Sequence, residues 1–346
     1  MTFQTTREMS YANNDQTQAK ATNLIEKLKE YLKIIMKDKT LFFTKGETVY
    51  IPDVHGDFVH LIITLHRHGI LDKDLNLSKD FEYVFLGDFY DRAPDADVID
   101  YWLNNQIKNK LNIYRLIGNH EMAFFERSPN GYPVIFPSQD SIKDIVNGFQ
   151  ITENLLKNIA EGNIIAAYIE KNIMYVHSYI MNDDFTELGL ESNSNINTFA
   201  HTLNQRFKNL GKEAFETFCE NKTKEEYNWK AIMKPFLDDS LFNIYKQKFD
   251  VSSSFIWRRT GLPILNIYPV EIDVEIPDDV YQIVGHTPVF SFALPRNEPI
   301  NKPFAIQAKK GTGKIQFSDV GIGYYYKSDF ERPEVVITKE TTLLKH

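Results

Sequence analysis

The sequence has a single cysteine, Cys219, and no unbroken apolar run long enough to cross a bilayer. One cysteine excludes an intramolecular disulfide, which is typical of proteins from a reducing compartment. A membrane-spanning helix needs roughly 18 or more apolar residues in succession, so we expect no transmembrane segment. The polar start, residues 1–18, lacks the basic and apolar regions of a secretory signal peptide, so we expect none there. These absences favour a cytoplasmic protein.

The chain also has no excess of basic residues, since its formal net charge is −8. Nucleic acids bind to basic faces, so this charge argues against a nucleic acid as the main partner. The chain is instead rich in core-forming residues, because 42% of its 346 residues are hydrophobic and 13% are aromatic. That composition predicts one folded domain over residues 19–346. We expect the polar residues 1–18 to be disordered.

Short apolar runs alternate with helical patterns from about residue 47 onward. The runs TVYIPDVHGD, FEYVFLGD, LNIYRLIGNHE, NIMYVHS and DVYQIVGHTP each predict a strand that ends in polar residues. This alternation implies an α/β sheet with crossover helices. Apolar residues at helical spacing predict an amphipathic helix over roughly 20–37. Charged helical patterns without strands predict a helical insertion over about 180–250.

The ends of the five predicted strands carry the candidate functional residues. They are Asp53 and His55, then Asp88 with Asp91 and Arg92, then Asn119 and His120, then His177, and finally His286. Ligands bind at the carboxyl ends of strands in α/β sheets, so these clusters predict one convergent site. Oxygen and nitrogen donors together suit Mn²⁺, Fe or Zn²⁺, and the lack of thiolate disfavours a structural zinc site. A carboxylate such as Asp88 would bridge two cations about 3.5–4 Å apart.

Each cluster taken alone has an ordinary structural explanation. An aspartate at a strand end is usually a helix cap, and a buried histidine is more often a satisfied core residue than a ligand. Gly118 and Gly285 would also serve simple turns. The occurrence of all five clusters in this order is not explained in that way, so a functional site is the better interpretation.

The motifs DVHG, GDFYDRA, GNHE, a later lone histidine and GHTP resemble the signature of the PPP-type metallophosphoesterases. This is the calcineurin-like family of the metal-dependent serine/threonine protein phosphatases, and the resemblance runs from about residue 48 to 325. It implies two mixed β-sheets packed face to face with helices outside, four layers in all, and makes residues 19–346 a catalytic domain. Departures such as DRA in place of DRG point to a bacterial or phage-like branch. The helical insertion is similar to that of effector phosphatases that are delivered into a host cell.

The resemblance implies a metal-binding role for six residues. The first cation would be held by Asp53, His55 and Asp88, and the second by Asp88, Asn119, His177 and His286. Two divalent cations would be the cofactors, with Mn²⁺ preferred and Fe or Zn²⁺ as alternatives.

The resemblance also implies roles in catalysis and substrate binding. His120 would be the general acid, and Asp91 would orient it. Arg92 would bind the phosphate together with Asn119. The segment SFIWRRTG offers a second arginine, and relatives with a W-x-R pattern favour Arg259 over Arg258.

The predicted function is that of a metal-dependent phosphatase whose partner is a phosphorylated protein. It would hydrolyse phosphoserine or phosphothreonine, with phosphotyrosine as a further substrate, by in-line attack of a metal-bridging hydroxide. One alternative is a diadenosine tetraphosphate hydrolase of the same superfamily, which needs an apolar platform for adenine. Another is an inactive scaffold whose insertion binds a partner. A nuclease is disfavoured, because GHTP lacks the second histidine of the GHxH motif.

Overall fold

The described residues of the computed structural model form ten strands in two sheets and eight α-helices. The described residues are 6–35, 43–90, 92–109, 111–124, 148–221, 228–243, 254–259, 272–289, 292, 302–323, 326, 329–332 and 334–337. Asp91, which we predicted to orient His120, lies outside the described residues, as do parts of the predicted insertion.

The first sheet has four parallel strands in the order β1-β2-β3-β4. Its strands are β1 (Thr48–Ile51), β2 (Glu82–Phe85), β3 (Ile113–Leu116) and β4 (Ile164–Ile165). The crossover helices are α2 (Phe58–Arg67), α3 (Ala96–Lys108), α4 (Asn119–Phe124) and α5 (Gly148–Glu161). Parallel strands need such crossovers, and they bring every carboxyl end to one edge of the sheet.

The second sheet has six strands and is mixed. In chain order the strands are β5 (Ala167–Glu170), β6 (Ile173–Val176), β7 (Ile272–Glu275), β8 (Tyr281–Pro288), β9 (Phe304–Lys310) and β10 (Lys314–Asp319). Their order in the sheet is β5-β6-β8-β10-β9-β7. The central strands β6, β8 and β10 run parallel. Strand β5 pairs antiparallel with β6, and β9 pairs antiparallel with β10 and parallel with β7. The carboxyl ends of the three central strands therefore also meet at one edge.

Aromatic side chains hold the two sheets against each other. Tyr50 of β1 packs on Tyr175 of β6 with ring centroids 6.4 Å apart. Tyr114 of β3 stacks on Tyr168 of β5 at 3.9 Å, and the Tyr168 hydroxyl donates to the Glu82 carboxylate at 3.2 Å. The predicted fold class, α/β with two packed sheets flanked by helices, is confirmed.

The N-terminal helix α1 (Thr6–Ile35) is longer than the helix that we predicted over about 20–37. It includes most of the polar segment 1–18, whose composition alone indicates disorder. The end of that segment contacts the start of α3, because the Thr17 hydroxyl donates to the Asp97 carboxylate at 3.3 Å. The Lys20 ammonium lies 2.8 Å from the same carboxylate and 3.3 Å from that of Asp95. These ion pairs join residues far apart in the sequence, so the local composition does not report them.

In the described residues between His177 and Ser254, three helices and no strand are present. They are α6 (Asn182–Glu187), α7 (Ile196–Asn221) and α8 (Trp229–Asp238). The Asn204 amide of α7 accepts the backbone N–H groups of Ala166 and Ala167 at 2.9 and 3.0 Å, so this helix is joined to the second sheet. No helix in the described part of the chain is both long and apolar enough to cross a membrane.

Candidate metal centre

The six predicted metal ligands come together in the structure, and each is at most 1% exposed. Two backbone hydrogen bonds join the loop after β1 to the loop after β2, since Val54 and His55 both donate to the Asp88 carbonyl, at 3.1 and 2.8 Å. The Glu121 carboxylate accepts N–H groups of Asp88 and Gly118 at 2.8 and 2.9 Å. The loops that carry the candidate ligands are therefore held by main-chain contacts.

Asp88 lies at the middle of the cluster. Its Oδ1 is 3.4 Å from Nε2 of His177. Its Oδ2 is 3.6 Å from Nε2 of His120 and 4.0 Å from Nε2 of His55. Three groups of side chains each bring their ligand atoms within 4.8 Å of one another. These groups are His55-Asp88-His120, Asp88-His177-His286 and Asp53-His55-Asp319. One carboxylate thus belongs to two groups, as a bridging ligand requires.

Asn119 contributes to the second of these groups. Its Oδ1 lies 2.8 Å from Nε2 of His177 and 2.7 Å from Nδ1 of His286. Two ring nitrogens and an amide oxygen therefore point at one small volume. Oxygen and imidazole donors in this combination suit a divalent transition metal.

One buried atom of the predicted ligands indicates that a positive ion fits here. Oδ1 of Asp53 has no hydrogen-bond partner among the described residues. A buried carboxylate oxygen without a donor costs desolvation free energy, which a cation would offset. The residues present therefore fit a divalent metal.

Burial makes the histidines of the centre suitable as ligands. It lowers the pKa of His55 and His286 well below the ordinary value, and the charges of Arg92 and Arg259 lower the two values further. Burial also lowers the pKa of His177. A neutral imidazole has a lone pair for a metal, so these rings are ready to bind one without losing a proton first.

The carboxylates show the opposite shift. Burial, followed by the nearby charges of Asp319 and Asp88, raises the pKa of Asp53 well above its ordinary value. Burial and the Asp88 charge raise the pKa of Glu121 to about 8. Several buried carboxylates disfavour one another's ionised form, and a cation among them removes that penalty.

Backbone strain is concentrated at this centre. Seven non-glycine residues among those described have positive φ, and four of them are His55 (49°), Asp88 (52°), Arg92 (66°) and His286 (59°). Such backbone costs of order 1–3 kcal/mol per residue and is typical of functional sites. Ala93, which stands in the DRA motif where the family has glycine, is not among these seven residues, whereas the adjacent Arg92 is.

Two glycines allow the loops to approach the aspartates. A Cβ on Gly118 would lie 2.2 Å from Oδ1 of Asp88, and one on Gly285 would lie 2.1 Å from Oδ1 of Asp53. Any side chain at either position would displace a candidate ligand. The sequence alone made these glycines look like simple turn residues, so their function as spacers is visible only in the structure.

The adjacent arginines Arg258 and Arg259 face different surroundings. Arg258 is buried and makes a bidentate ion pair with Asp184, with N–O distances of 2.6 and 2.9 Å. Arg259 is partly buried, and its Nε donates to Nε2 of His286 at 3.0 Å. Arg259 is therefore the arginine at the centre, while Arg258 anchors the segment that carries it.

The Arg258–Asp184 pair leads to a prediction on stability. Asp184→Asn should lower the free energy of unfolding by about 3 kcal/mol, because it leaves the buried guanidinium without a counter-charge. Urea denaturation would measure the loss. Asp238→Asn is the matched control, since its pair with Lys234 is exposed and such pairs contribute about 0.2–1 kcal/mol. Equal losses in the two variants would contradict the stabilising role of the buried pair.

Asp319 is a member of the cluster that the sequence analysis missed. It is the last residue of β10 and is fully buried. The run KIQFSDVG has the same form as the other motifs, an apolar strand that ends in an aspartate. That signal was available in the sequence, but Asp319 was not among the residues that we predicted for the site.

The family model described as calcineurin-like phosphoesterase matches residues 48–241. Among solved structures, the chain is similar to a cold-active protein tyrosine phosphatase of a psychrophilic Shewanella species, with 16% identity, 86% of this chain and 77% of that chain covered, and a TM-score of 0.45. A second structure of a cold-active protein tyrosine phosphatase has 17% identity, coverages of 86% and 76%, and a TM-score of 0.48. A protein serine/threonine phosphatase from Saccharomyces cerevisiae has 13% identity and a TM-score of 0.40, with 88% of this chain and 77% of that chain covered.

Proposed function

The chain belongs to the calcineurin-like phosphoesterase family, and from that premise we propose that it is a metal-dependent phosphatase of phosphorylated proteins. The observation that carries the proposal is the position of Asp88, whose two oxygens face different groups of candidate ligands. We place the enzyme in the cytoplasm, since its one cysteine, Cys219, is free and exposed, as a reducing compartment allows.

Six residues would hold the two cations. The first cation would be held by Asp53, His55 and Asp88, and the second by Asp88, Asn119, His177 and His286. When bound, the two cations would acidify a shared water and neutralise charge on the phosphoryl group. Mn²⁺ is the preferred ion, with Fe or Zn²⁺ as alternatives, because imidazole and carboxylate donors together suit these metals.

The remaining residues of the centre would bind and protonate the substrate. Arg92 and Arg259 would donate to the phosphate oxygens, because a guanidinium makes strong paired hydrogen bonds to such groups. The side-chain amide of Asn119 would also donate to the phosphate. His120 would donate a proton to the departing oxygen, and its Nε2 lies 3.6 Å from the central Asp88. Asp91 is proposed to orient His120.

The helical segment after His177 supports a protein as the substrate. It begins directly after one candidate metal ligand and returns to the centre at Arg258 and Arg259. Its two ends are joined there, because the Ser178 hydroxyl donates to the Arg258 carbonyl at 2.6 Å and Asp184 pairs with the Arg258 guanidinium. A large substrate bound at the phosphate site would lie beside this segment, so we propose that the segment contributes to selection among phosphoproteins.

Metal removal and a substrate panel test the proposal. We expect that dialysis against a chelator abolishes hydrolysis and that Mn²⁺ restores it. The restored enzyme should release phosphate from phosphoserine, phosphothreonine and phosphotyrosine peptides, measured beside diadenosine tetraphosphate under the same conditions. Faster cleavage of the dinucleotide would favour the hydrolase alternative. Full metal binding without turnover of any substrate would favour a scaffold.

A further inference from the structure

Asp319 joins the centre from a strand that none of the recognised motifs covers. Its carboxylate, the carboxylate of Asp53 and the imidazole of His55 each offer one ligand atom, and these atoms lie within 4.8 Å of one another. All three side chains are fully buried. One imidazole and two carboxylates at this spacing form a cation-binding group by themselves.

The position of Asp319 is held by regular structure. Strand β10 is paired with β8, and Asp319 lies opposite Pro288, two residues after His286. Oδ1 of Asp319 also accepts the N–H of Gly321 at 3.1 Å, which orients the carboxylate. A carboxylate on a paired strand is presented with less freedom than one on a long loop, as a metal ligand should be.

The buried carboxylate of Asp53 also favours a cation between Asp53 and Asp319. Oδ1 of Asp53 has no hydrogen-bond partner among the described residues, although the side chain is fully buried. Two carboxylates that disfavour each other's ionised form are stable together when a cation lies between them.

We propose that Asp319 is a further ligand of the cation held by Asp53, His55 and Asp88. This inference rests on the proposed function. It makes the two cation positions chemically different, because the first would have three carboxylates and one imidazole. The second would have one carboxylate, one amide and two imidazoles. Carboxylate-rich sites suit Mn²⁺, whereas imidazole also suits Zn²⁺, so the first position should be the more selective for Mn²⁺.

Metal binding to the stripped protein tests the role of Asp319 without an activity measurement. Calorimetric titration with Mn²⁺, with metal counted by mass spectrometry after dialysis, should find two ions per wild-type chain. In Asp319→Asn we expect one of the two ions to bind about 10–100-fold more weakly, a range typical for residues that support a metal site. Titration with Zn²⁺ should show a smaller difference.

Two further variants serve as controls for Asp319→Asn. Asp53→Asn removes a ligand of the same cation and should lose the same ion. Asp279→Asn changes an exposed aspartate near the opposite end of β8, and its left-handed backbone, φ 57°, is tolerated by asparagine. This variant should bind both ions as the wild type does.

Thermal unfolding separates a ligand from a structural residue. A ligand role predicts that metal-free Asp319→Asn is at least as stable as the metal-free wild type, because one of two repelling carboxylates is gone. It also predicts a smaller rise in Tm on adding Mn²⁺, since a ligand stabilises only the state that binds it. A purely structural role predicts a lower Tm with and without metal, and that result would overturn the proposal.

The remaining outcomes distinguish the inference from the proposed function. If Asp319→Asn binds two ions as tightly as the wild type while Asp53→Asn loses one, Asp319 is no ligand and the metal-dependent function stands. If neither the wild type nor any variant binds Mn²⁺, the proposed function fails, and the inference fails with it.

Discussion

Asp88→Asn is expected to lower kcat by at least about 10³-fold and to weaken the binding of both cations. Each tenfold loss corresponds to about 1.4 kcal/mol, and a bound metal supplies several kcal/mol of transition-state stabilisation. The substitution removes the charge that would attract both ions and keeps the shape of the side chain. Measurement of kcat on a phosphopeptide at saturating Mn²⁺, with metal content per chain, checks both effects.

The fold should survive this change for reasons visible at the residue. Asn tolerates left-handed backbone, and Asp88 has a φ of 52°. Its amide oxygen would still accept the N–H of His120, which Oδ1 of Asp88 accepts at 2.9 Å. The matched control is Asp100→Asn, a buried carboxylate paired with Arg115 at 3.3 Å, which should lose stability and keep both metals. Near wild-type hydrolysis by Asp88→Asn would contradict the two-metal proposal.

His120→Asn is expected to reduce kcat according to the basicity of the leaving group. A serine alkoxide is strongly basic, whereas a tyrosine phenol has a pKa of about 10 and nitrophenol is more acidic still. General acid catalysis contributes roughly 10²–10⁴-fold. We expect a loss in the upper part of that range on a phosphoserine peptide and a much smaller loss on p-nitrophenyl phosphate. Comparing kcat for the two substrates at saturating Mn²⁺ measures the difference.

The surroundings of His120 also suit asparagine as its replacement. His120 is only 4% exposed and packs against His55 with ring centroids 4.6 Å apart, so a polar residue of moderate size limits the cavity that is left. Metal content should stay at the wild-type level. Asp91→Asn should show the same order of losses with smaller values, because Asp91 is proposed only to orient His120. Equal losses on the two substrates would mean that His120 acts on the phosphate or the metals instead.

The candidate ligands were predictable from local sequence because each lies at or just after the carboxyl-terminal part of a buried strand. Parallel pairing places the ends of neighbouring strands at one edge, so a strand pattern with Asp53, Asp88 or Asn119 after it already predicts that these residues meet. The same rule applies to His177 and His286 in the second sheet. Residue type and spacing along the chain were sufficient for this part of the centre and for an α/β sheet, whereas the two-sheet arrangement was implied by the resemblance of the motifs to the calcineurin-like family.

The sequence by itself therefore determined the two-sheet α/β fold and the set of residues that gather at the strand ends. Tertiary structure decided the features that depend on partners far away in the chain. Arg258 and Arg259 are adjacent and alike, but the ion pair with Asp184, 74 residues from Arg258, holds the Arg258 side chain away from the centre. Likewise, Asp319 lies beside Asp53 only because β10 pairs with β8. Long-range pairing sets these positions, and no local pattern records which side chain will meet which.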